Sequence, residues 1–276
     1  MRILVTGANG YLGQGIVRHL LDSGVEVIAA DFSVDYVDER AERIACSLFD
    51  VEDPYTYFKQ PDVLLHLAWR DGFVHYSDAH LDDLPKHYHF ISRMAESDIA
   101  TIAVMGSMHE IGFYEGCIKE NTPCHPTTPY GISKNALREL SDMLCKKHSK
   151  NFIWLRGYYI VGNSQCGNSI FSKITAAAAD GKTEFPFTTG QNQFDFIDYE
   201  DFAEQTARAA CQDKVLGIIN ICSGHPEKLA DRVERFIKEN GYSIKLQYGA
   251  FPDRAYDSKA VWADDSKIRA IMEAGE

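Results

Sequence analysis

The chain opens on an apolar run, Met1-Arg2-Ile3-Leu4-Val5, and passes through Thr6-Gly7-Ala8-Asn9-Gly10-Tyr11-Leu12-Gly13 into a stretch with apolar residues at Ile16, Val17, Leu20 and Leu21. A continuous apolar run followed by helical spacing predicts a buried strand, a glycine-rich turn and an amphipathic helix. Gly24 ends that helix, and Val25-Glu26-Val27-Ile28-Ala29-Ala30 reads as the next strand. The alternation continues with a third strand before Asp50-Val51 and a fourth ending at His66-Leu67-Ala68. A fifth, Ile99-Ala100-Thr101-Ile102-Ala103-Val104-Met105, delivers Ser107 to its end. Strand and helix alternating over the first two-thirds predict an α/β fold with a doubly wound parallel sheet. Beyond Val161 the pattern loosens, with Gly162, Gly167 and Asn168 marking loops and one helix through Ala176–Ala179 that Asp180-Gly181 ends. The expected division is a first domain over 1–161 and a smaller C-terminal lobe over 162–276.

Two constellations give this frame a chemistry. Gly7 lets the chain turn tightly, Gly10 lets the backbone approach a pyrophosphate at a helix N-terminus, and Gly13 allows helix to pack closely on strand. Asp31, at the end of the second strand, can accept both ribose hydroxyls of an adenosine. It is followed by Phe32-Ser33-Val34-Asp35 with no adjacent cation for a 2′-phosphate, which favours NAD over NADP; Arg40 and Arg43 are the cations a loop could bring back. Further on, Thr128-Pro129 reads as an N-cap and first helical residue, so Tyr130 and Lys134 fall on one helix face. A cation beside a phenol favours its ionised form. Lowering a phenol from near 10 by about two or three units takes roughly 3–4 kcal/mol of differential stabilisation. Ser107, brought to the carboxyl edge of the sheet, can orient a reacting oxygen toward that phenol.

Thr6-Gly7-x-x-Gly10-x-x-Gly13, Asp50-Val51, His66-Leu67-Ala68, Ser107 and Tyr130-x-x-x-Lys134 run in an order and spacing that resemble the extended short-chain dehydrogenase/reductase family, the NAD-dependent epimerases, dehydratases and reductases of nucleotide sugars. The resemblance runs essentially end to end. It implies a Rossmann-type sheet to which some later segments return, and a C-terminal substrate lobe. Gly7, Gly10, Tyr11, Leu12, Gly13 and Asp31 would belong to the NAD site, with Asp50 and Val51 at the adenine and Ala68 on the nicotinamide side. Ser107, Tyr130 and Lys134 would form the catalytic triad, the last two also touching NAD. It further implies a homodimer through the helix that bears Tyr130. A plainer alternative for Asp50 is a helix cap before Pro54.

The same resemblance assigns substrate contacts. Arg254-Ala255-Tyr256-Asp257 and Ala263-Asp264-Asp265-Ser266-Lys267 are similar to paired segments of nucleotide-sugar 4-epimerases, with Arg254 on the diphosphate and Asp257 on a ribose hydroxyl. The alternative is a surface ion pair followed by a capped helix. Asn168 would hold the nucleotide through its amide. Phe185 or Phe187 would stack on a base, or pack in the core as aromatics flanking a proline usually do. Arg70 is a candidate substrate contact or a salt-bridged surface arginine. His109 would move a proton at C3 or C5, or hydrogen-bond the backbone. Two positions depart from the epimerase pattern: Phe194 stands where arginine is usual and Tyr159 where asparagine faces the sugar. Met108 and His109 replace the acidic pair that follows the hydroxyl in 4,6-dehydratases, although Glu110 is one step away. The expected reaction is hydride transfer, at C4, on a nucleotide-diphosphate sugar by a 4-keto-deoxysugar reductase or dehydrogenase. The alternatives are a 4-epimerase and, in another class, a dinucleotide-binding sensor or scaffold without turnover.

Composition narrows partners more than chemistry. A net charge of −12 over 276 residues opposes general nucleic-acid binding, so phosphate must be met locally. No apolar run can span a bilayer and the N-terminus enters a strand directly, giving an expectation of a cytoplasmic protein with no membrane partner. Seven cysteines form no C-x-x-C pair, and His75, His80, His87 and His89 lack an acidic or cysteine framework, so no metal site is expected.

Overall fold

The computed structural model describes residues 1–162, 169–252 and 258–274. Its strands and helices follow in the order β1 Arg2–Thr6, α1 Tyr11–Asp22, β2 Glu26–Asp31, β3 Glu42–Ala45, α2 Pro54–Tyr57, β4 Val63–His66, α3 Ala79–Ala95, β5 Thr101–Ser107 and β6 Gly116–Ile118. There follow α4 Pro129–Lys147, β7 Asn151–Gly157, β8 Tyr159–Val161, α5 Ile170–Ala179, β9 Glu184–Pro186, β10 Gln193–Asp198 and α6 Tyr199–Ala210. The last elements are β11 Gly217–Ile221, β12 Pro226–Lys228, α7 Leu229–Glu239, β13 Lys245–Gln247, β14 Ala260–Ala263 and α8 Ser266–Glu273.

The main sheet has the order β11-β7-β5-β4-β1-β2-β3, every pairing parallel. Strand order reverses between β1 and β4, the point at which a doubly wound sheet opens a crevice at its carboxyl edge. The period of two along β1 explains how both faces are covered. Ile3 and Val5 join Ile16, Val17 and Leu20 of α1 and Phe202 of α6 in one core, whereas Leu4 joins Phe90, Ile91 and Met94 of α3 and Leu137 and Leu144 of α4 in the other. Each such side chain taken out of water contributes about 1.5–3 kcal/mol.

A second sheet, β12-β10-β14-β6 with β8 beside β10, carries its own core of Phe171, Ile174, Phe187, Phe196, Val233 and Phe236. The chain crosses between the sheets more than once. The short strand β6, from the first half, pairs with β14, while α6 and β11 return to the main sheet. Asp195 ties the crossing: its buried carboxylate accepts the N–H groups of Ser223, Gly224 and Ala263 at 2.8, 3.1 and 3.0 Å. Among the described residues no helix is long and apolar enough to cross a membrane.

The glycine turn is bound by close approach. A Cβ on Gly13 would lie 2.3 Å from the Gly7 carbonyl oxygen and 2.7 Å from the Ala8 Cα. Backbone atoms there cannot swing aside as a side chain can. Gly13→Ala is therefore expected to lower stability by about 1–3 kcal/mol in chemical unfolding and to weaken dinucleotide binding with it; an unchanged midpoint would contradict the close packing.

Candidate active site

Ser107 closes β5 and caps a single 3-10 turn, Met108–Glu110. Its Oγ accepts the His109 N–H at 3.3 Å, and its own N–H donates to Glu110 Oε2 at 3.4 Å. Tyr130 enters from α4, where Thr128 Oγ1 accepts the Gly131 N–H at 3.2 Å and Pro129 supplies a preset φ. A Cβ on Gly131 would fall 2.4 Å from the His109 carbonyl oxygen, so only glycine lets this helix reach the turn. The Ser107 hydroxyl then acts on the Tyr130 phenol, favouring its ionised form. Ser107, Tyr130 and Lys134 are all buried at this junction.

The electrostatics differ from the expected lysine-lowered phenol. Lys134 turns its ammonium to the Met105 carbonyl at 2.9 Å and lies 3.8 Å from the centre of the Trp69 ring. Burial outweighs charge at both groups. It pushes the Tyr130 phenol up to about 12, with the Ser107 hydroxyl opposing and the Glu110 carboxylate adding to the rise. It brings Lys134 down to about 7, the Glu110 carboxylate opposing. The protonated phenol is favoured in this arrangement, and a further positive charge nearby would favour phenolate.

The phenol also sits in an aromatic cage. His75 stacks on it at 5.0 Å between ring centres and 6° between planes, and His80, His109 and Trp69 flank it at 5.2, 6.0 and 6.2 Å. The His75 carbonyl accepts the Tyr130 N–H at 3.1 Å. Beneath the cage, His66 bridges Thr6 Oγ1 and His87 Nδ1, each at 2.8 Å. Burial lowers His109 to about 4 and His87 to about 3.

The nucleotide side fits a dinucleotide. Gly10, in extended conformation, begins α1 with no side-chain cap, so the first helical N–H groups face outward for a pyrophosphate. Gly7 has φ 70°, and a Cβ there would strike Ala68 at 2.7 Å, which fixes Ala68 against the turn. Asp31 Oδ2 accepts the Asn9 N–H at 3.0 Å, holding the carboxylate at the loop mouth. Arg40 is tied to Asp22 and Asp38, each at 2.7 Å, and is thus committed away from Asp31. Arg43 lies on β3 opposite Ala29. Tyr11 stacks on Tyr199 at 4.5 Å, and Leu12 packs on the core. Val51 is half-buried, its carbonyl accepting from Arg93 at 2.8 Å, and Asp50 is exposed beside it. The cap before Pro54 is Asp53, which accepts the Thr56 N–H at 3.1 Å, so the capping alternative for Asp50 is corrected.

Several substrate candidates have simpler partners. Arg70 pairs with Asp83 at 2.9 Å with its head exposed. Phe187 is 1% exposed inside the second core, against Tyr248, so core packing describes it and Phe185 is the more accessible ring. Asn168, Arg254 and Asp257 lie outside the described residues. Tyr159 and Phe194, the two departures, pack on each other, ring centres 4.6 Å apart and planes tilted by 37°.

Residues 3–222 match the model of the NAD dependent epimerase/dehydratase family. The chain belongs to this family. Over 268 residues, 95% of this chain and 99% of the relative, it is 42% identical to a dTDP-6-deoxy-L-talose 4-dehydrogenase (NAD(+)) of Aggregatibacter actinomycetemcomitans. A UDP-glucose 4-epimerase of Lactobacillus helveticus is 22% identical over 99% of this chain and 91% of its own. The fold is shared with the UDP-N-acetylglucosamine 4-epimerase of Methanobrevibacter ruminantium M1 (TM-score 0.82, 21% identity, 98% of this chain and 91% of that one). It is also shared with the UDP-glucuronic acid 4-epimerase of Bacillus cereus, solved with UDP-glucuronic acid and NAD (TM-score 0.83, 20% identity, 99% and 93%).

Within this family member, sequence reasoning gave no such role to four contributors. Tyr199 donates to the Tyr11 carbonyl at 2.6 Å and accepts the Gly15 N–H at 3.0 Å, bracing the glycine turn from far along the chain, with no local signal. Trp69 and His75 frame Tyr130 from a loop whose aromatic content was its only mark. Glu110 had a usable signal: Arg156 in the apolar strand Phe152-Ile153-Trp154-Leu155 requires a buried acid.

The buried neutral histidines carry a pH signature. Because His109 and His87 titrate lower folded than unfolded, the unfolded chain binds more protons between the two values, and stability is lost as pH falls from about 6.5 toward 4. His109→Gln is expected to flatten that slope in urea unfolding at several pH values; a slope equal to wild type would contradict a neutral, enclosed His109.

Proposed function

We propose that the protein is an NAD-dependent 4-dehydrogenase of a nucleoside-diphosphate 6-deoxyhexose, running as a 4-ketoreductase in reverse. The observation that carries this reading is the 42% identity, across nearly all of both chains, with a dTDP-6-deoxy-L-talose 4-dehydrogenase (NAD(+)). A thymidine nucleotide is accordingly the first substrate to test.

Bound NAD supplies the hydride acceptor, or the donor in reverse, and a positive ring charge. Ser107 orients the C4 oxygen by hydrogen bond, and Tyr130 takes or gives its proton. Lys134, released from the Met105 carbonyl, holds ribose hydroxyls and adds the charge that the phenol lacks from its other neighbours. Asp31 accepts the adenosine ribose hydroxyls, with Asp50, Val51 and Ala68 along the same crevice. Arg254 and Asp257 are assigned to the diphosphate and ribose of the substrate, with Asn168 and Phe185 beside the base.

Water elimination is disfavoured on structural grounds. Met108 is in the core, and Glu110, the acid on the Ser107 turn, is 0% exposed and hydrogen-bonded to Arg156 and Trp154. The paired Tyr159 and Phe194 offer an apolar face where epimerases carry asparagine and arginine, which suits a sugar that has a methyl in place of a hydroxymethyl group. A 4-epimerase is the second reading, favoured by Asp31 and the Arg254/Asp257 spacing. It would return the hydride to the sugar without accumulating NADH.

The reading includes a homodimer through α4. Ile132 and Met143, on one side of that helix, are 47% and 48% exposed, and Leu81 on the neighbouring α3 is 52% exposed. The described cysteines are free thiols, in keeping with action in the cytoplasm.

Two outcomes are expected. With NAD and a dTDP-6-deoxyhexose, NADH should appear stoichiometrically with the 4-keto product; an inverted sugar without NADH would replace this reading by the epimerase. Tyr130→Phe should keep NAD affinity and lose about 100-fold or more in kcat, whereas unchanged turnover would overturn the assigned proton transfer and leave a dinucleotide-binding sensor or scaffold in contention.

A further inference from the structure

The turn that carries Ser107 is built over a fully buried ion pair. Glu110 and Arg156 are both 0% exposed, and Arg156 Nε donates to Glu110 Oε1 at 2.7 Å. Trp154 Nε1 is shared between both carboxylate oxygens at 3.0 and 2.8 Å, and the Ser107 N–H adds a third donor at 3.4 Å. Gly106 makes room for this: a Cβ there would lie 2.1 Å from Trp154 Nε1. A buried acid and base are costly to desolvate, and an apolar pair of similar volume is often as stable or more so. Stability alone is then a weak reason for this arrangement.

Its placement suggests another. The carboxylate stands behind Ser107 and acts electrostatically on both Tyr130 and Lys134, disfavouring phenolate and favouring ammonium. Arg156 pairs with Glu110 from β7. The other groups around Tyr130 are Ser107 and His109 on the same turn, His75 on the loop after β4, His80 on α3 and Trp69. Around Lys134 are Trp69 and the histidines His66 and His87, both held neutral by burial. Glu110 is thus the anionic member of this set, with Arg156 its direct ion-pair partner and Lys134 the cation of the set on which it acts.

Building on the dehydrogenase reading above, we propose that Glu110 is a positioning residue: it locks the Ser107 turn through its backbone N–H and sets a fixed negative charge behind Tyr130 and Lys134, so that the phenol holds its proton and the lysine its charge between turnovers. Arg156 and Trp154 aim that carboxylate.

The test compares wild type, Glu110→Asp, Glu110→Gln and the double variant Glu110→Gln/Arg156→Met, which leaves no unpaired buried cation. Two readouts are taken across pH: kcat for sugar oxidation, and NADH affinity by fluorescence, which needs no sugar. If wild type binds NADH but oxidises no sugar, the dehydrogenase reading fails while the affinity profile still measures the charge on Lys134. In Glu110→Gln and in the double variant, the pH midpoint of NADH binding and the acid limb of kcat should both move to lower pH, with kcat at the plateau down about tenfold or more through the loosened turn. Glu110→Asp, which keeps charge but shortens the reach, should lose kcat with both limbs in place. Profiles that coincide with wild type in both neutral variants, at any cost in stability, would overturn the proposal, and the double variant decides the matter if Glu110→Gln does not fold.

Discussion

Gly131 has no side chain, and the His109 carbonyl oxygen lies 2.4 Å from where one would begin. On that single close approach depends the meeting of two elements that arrive from different directions: β5, which ends at Ser107, and α4, which begins one residue before Tyr130. The Thr128 cap fixes where the helix starts, and the parallel sheet fixes where the strand ends. A serine and a tyrosine far apart in sequence are brought to one buried junction because neither end has freedom to retreat. The same economy of space recurs at Gly7 and Gly13, where backbone packs on backbone to open the crevice on the nucleotide side.

Burial then sets the chemistry that geometry permits. Enclosing a phenol and an ammonium disfavours the charged form of each, and the phenol rises while the lysine falls. What keeps the lysine usable is a set of partners that prefer it charged: the Trp69 face, the Met105 carbonyl and the Glu110 carboxylate. Burial disfavours the charged form of His66, His75, His87 and His109, which limits competing positive charge. The site is therefore poised as acid first, and its conversion to base is coupled to the positive charge of the oxidised nicotinamide.

The sequence made much of this legible, and unevenly. The strand–turn–helix at the N-terminus, the five-strand alternation, Asp31 and the Ser107/Tyr130/Lys134 set were readable because each rests on local periodicity or a short motif whose spacing survives folding. The return of α6 and β11 to the main sheet was expected only from the family, since nothing local in Gly217–Ile221 distinguishes one sheet from another. Contacts between distant segments were opaque: Tyr199 against the glycine turn and Phe194 against Tyr159 have no periodic signature. The partners of Lys134 were not legible, because a one-turn spacing tells which face two side chains share and is silent about the Met105 carbonyl and Trp69 indole that one of them meets. Phe187 was ambiguous for a similar reason, aromatics beside proline serving core and surface alike.

Hydride transfer at C4 is the claim on which the rest of the functional account stands, and isotopic labelling reaches it directly. The protein would be given NAD and a nucleoside-diphosphate 6-deoxyhexose carrying deuterium at C4, and the cofactor released on denaturation analysed by mass spectrometry. The account predicts one deuterium in the reduced cofactor and a 4-keto sugar that has lost it; label retained on the sugar, or lost to water, would contradict it.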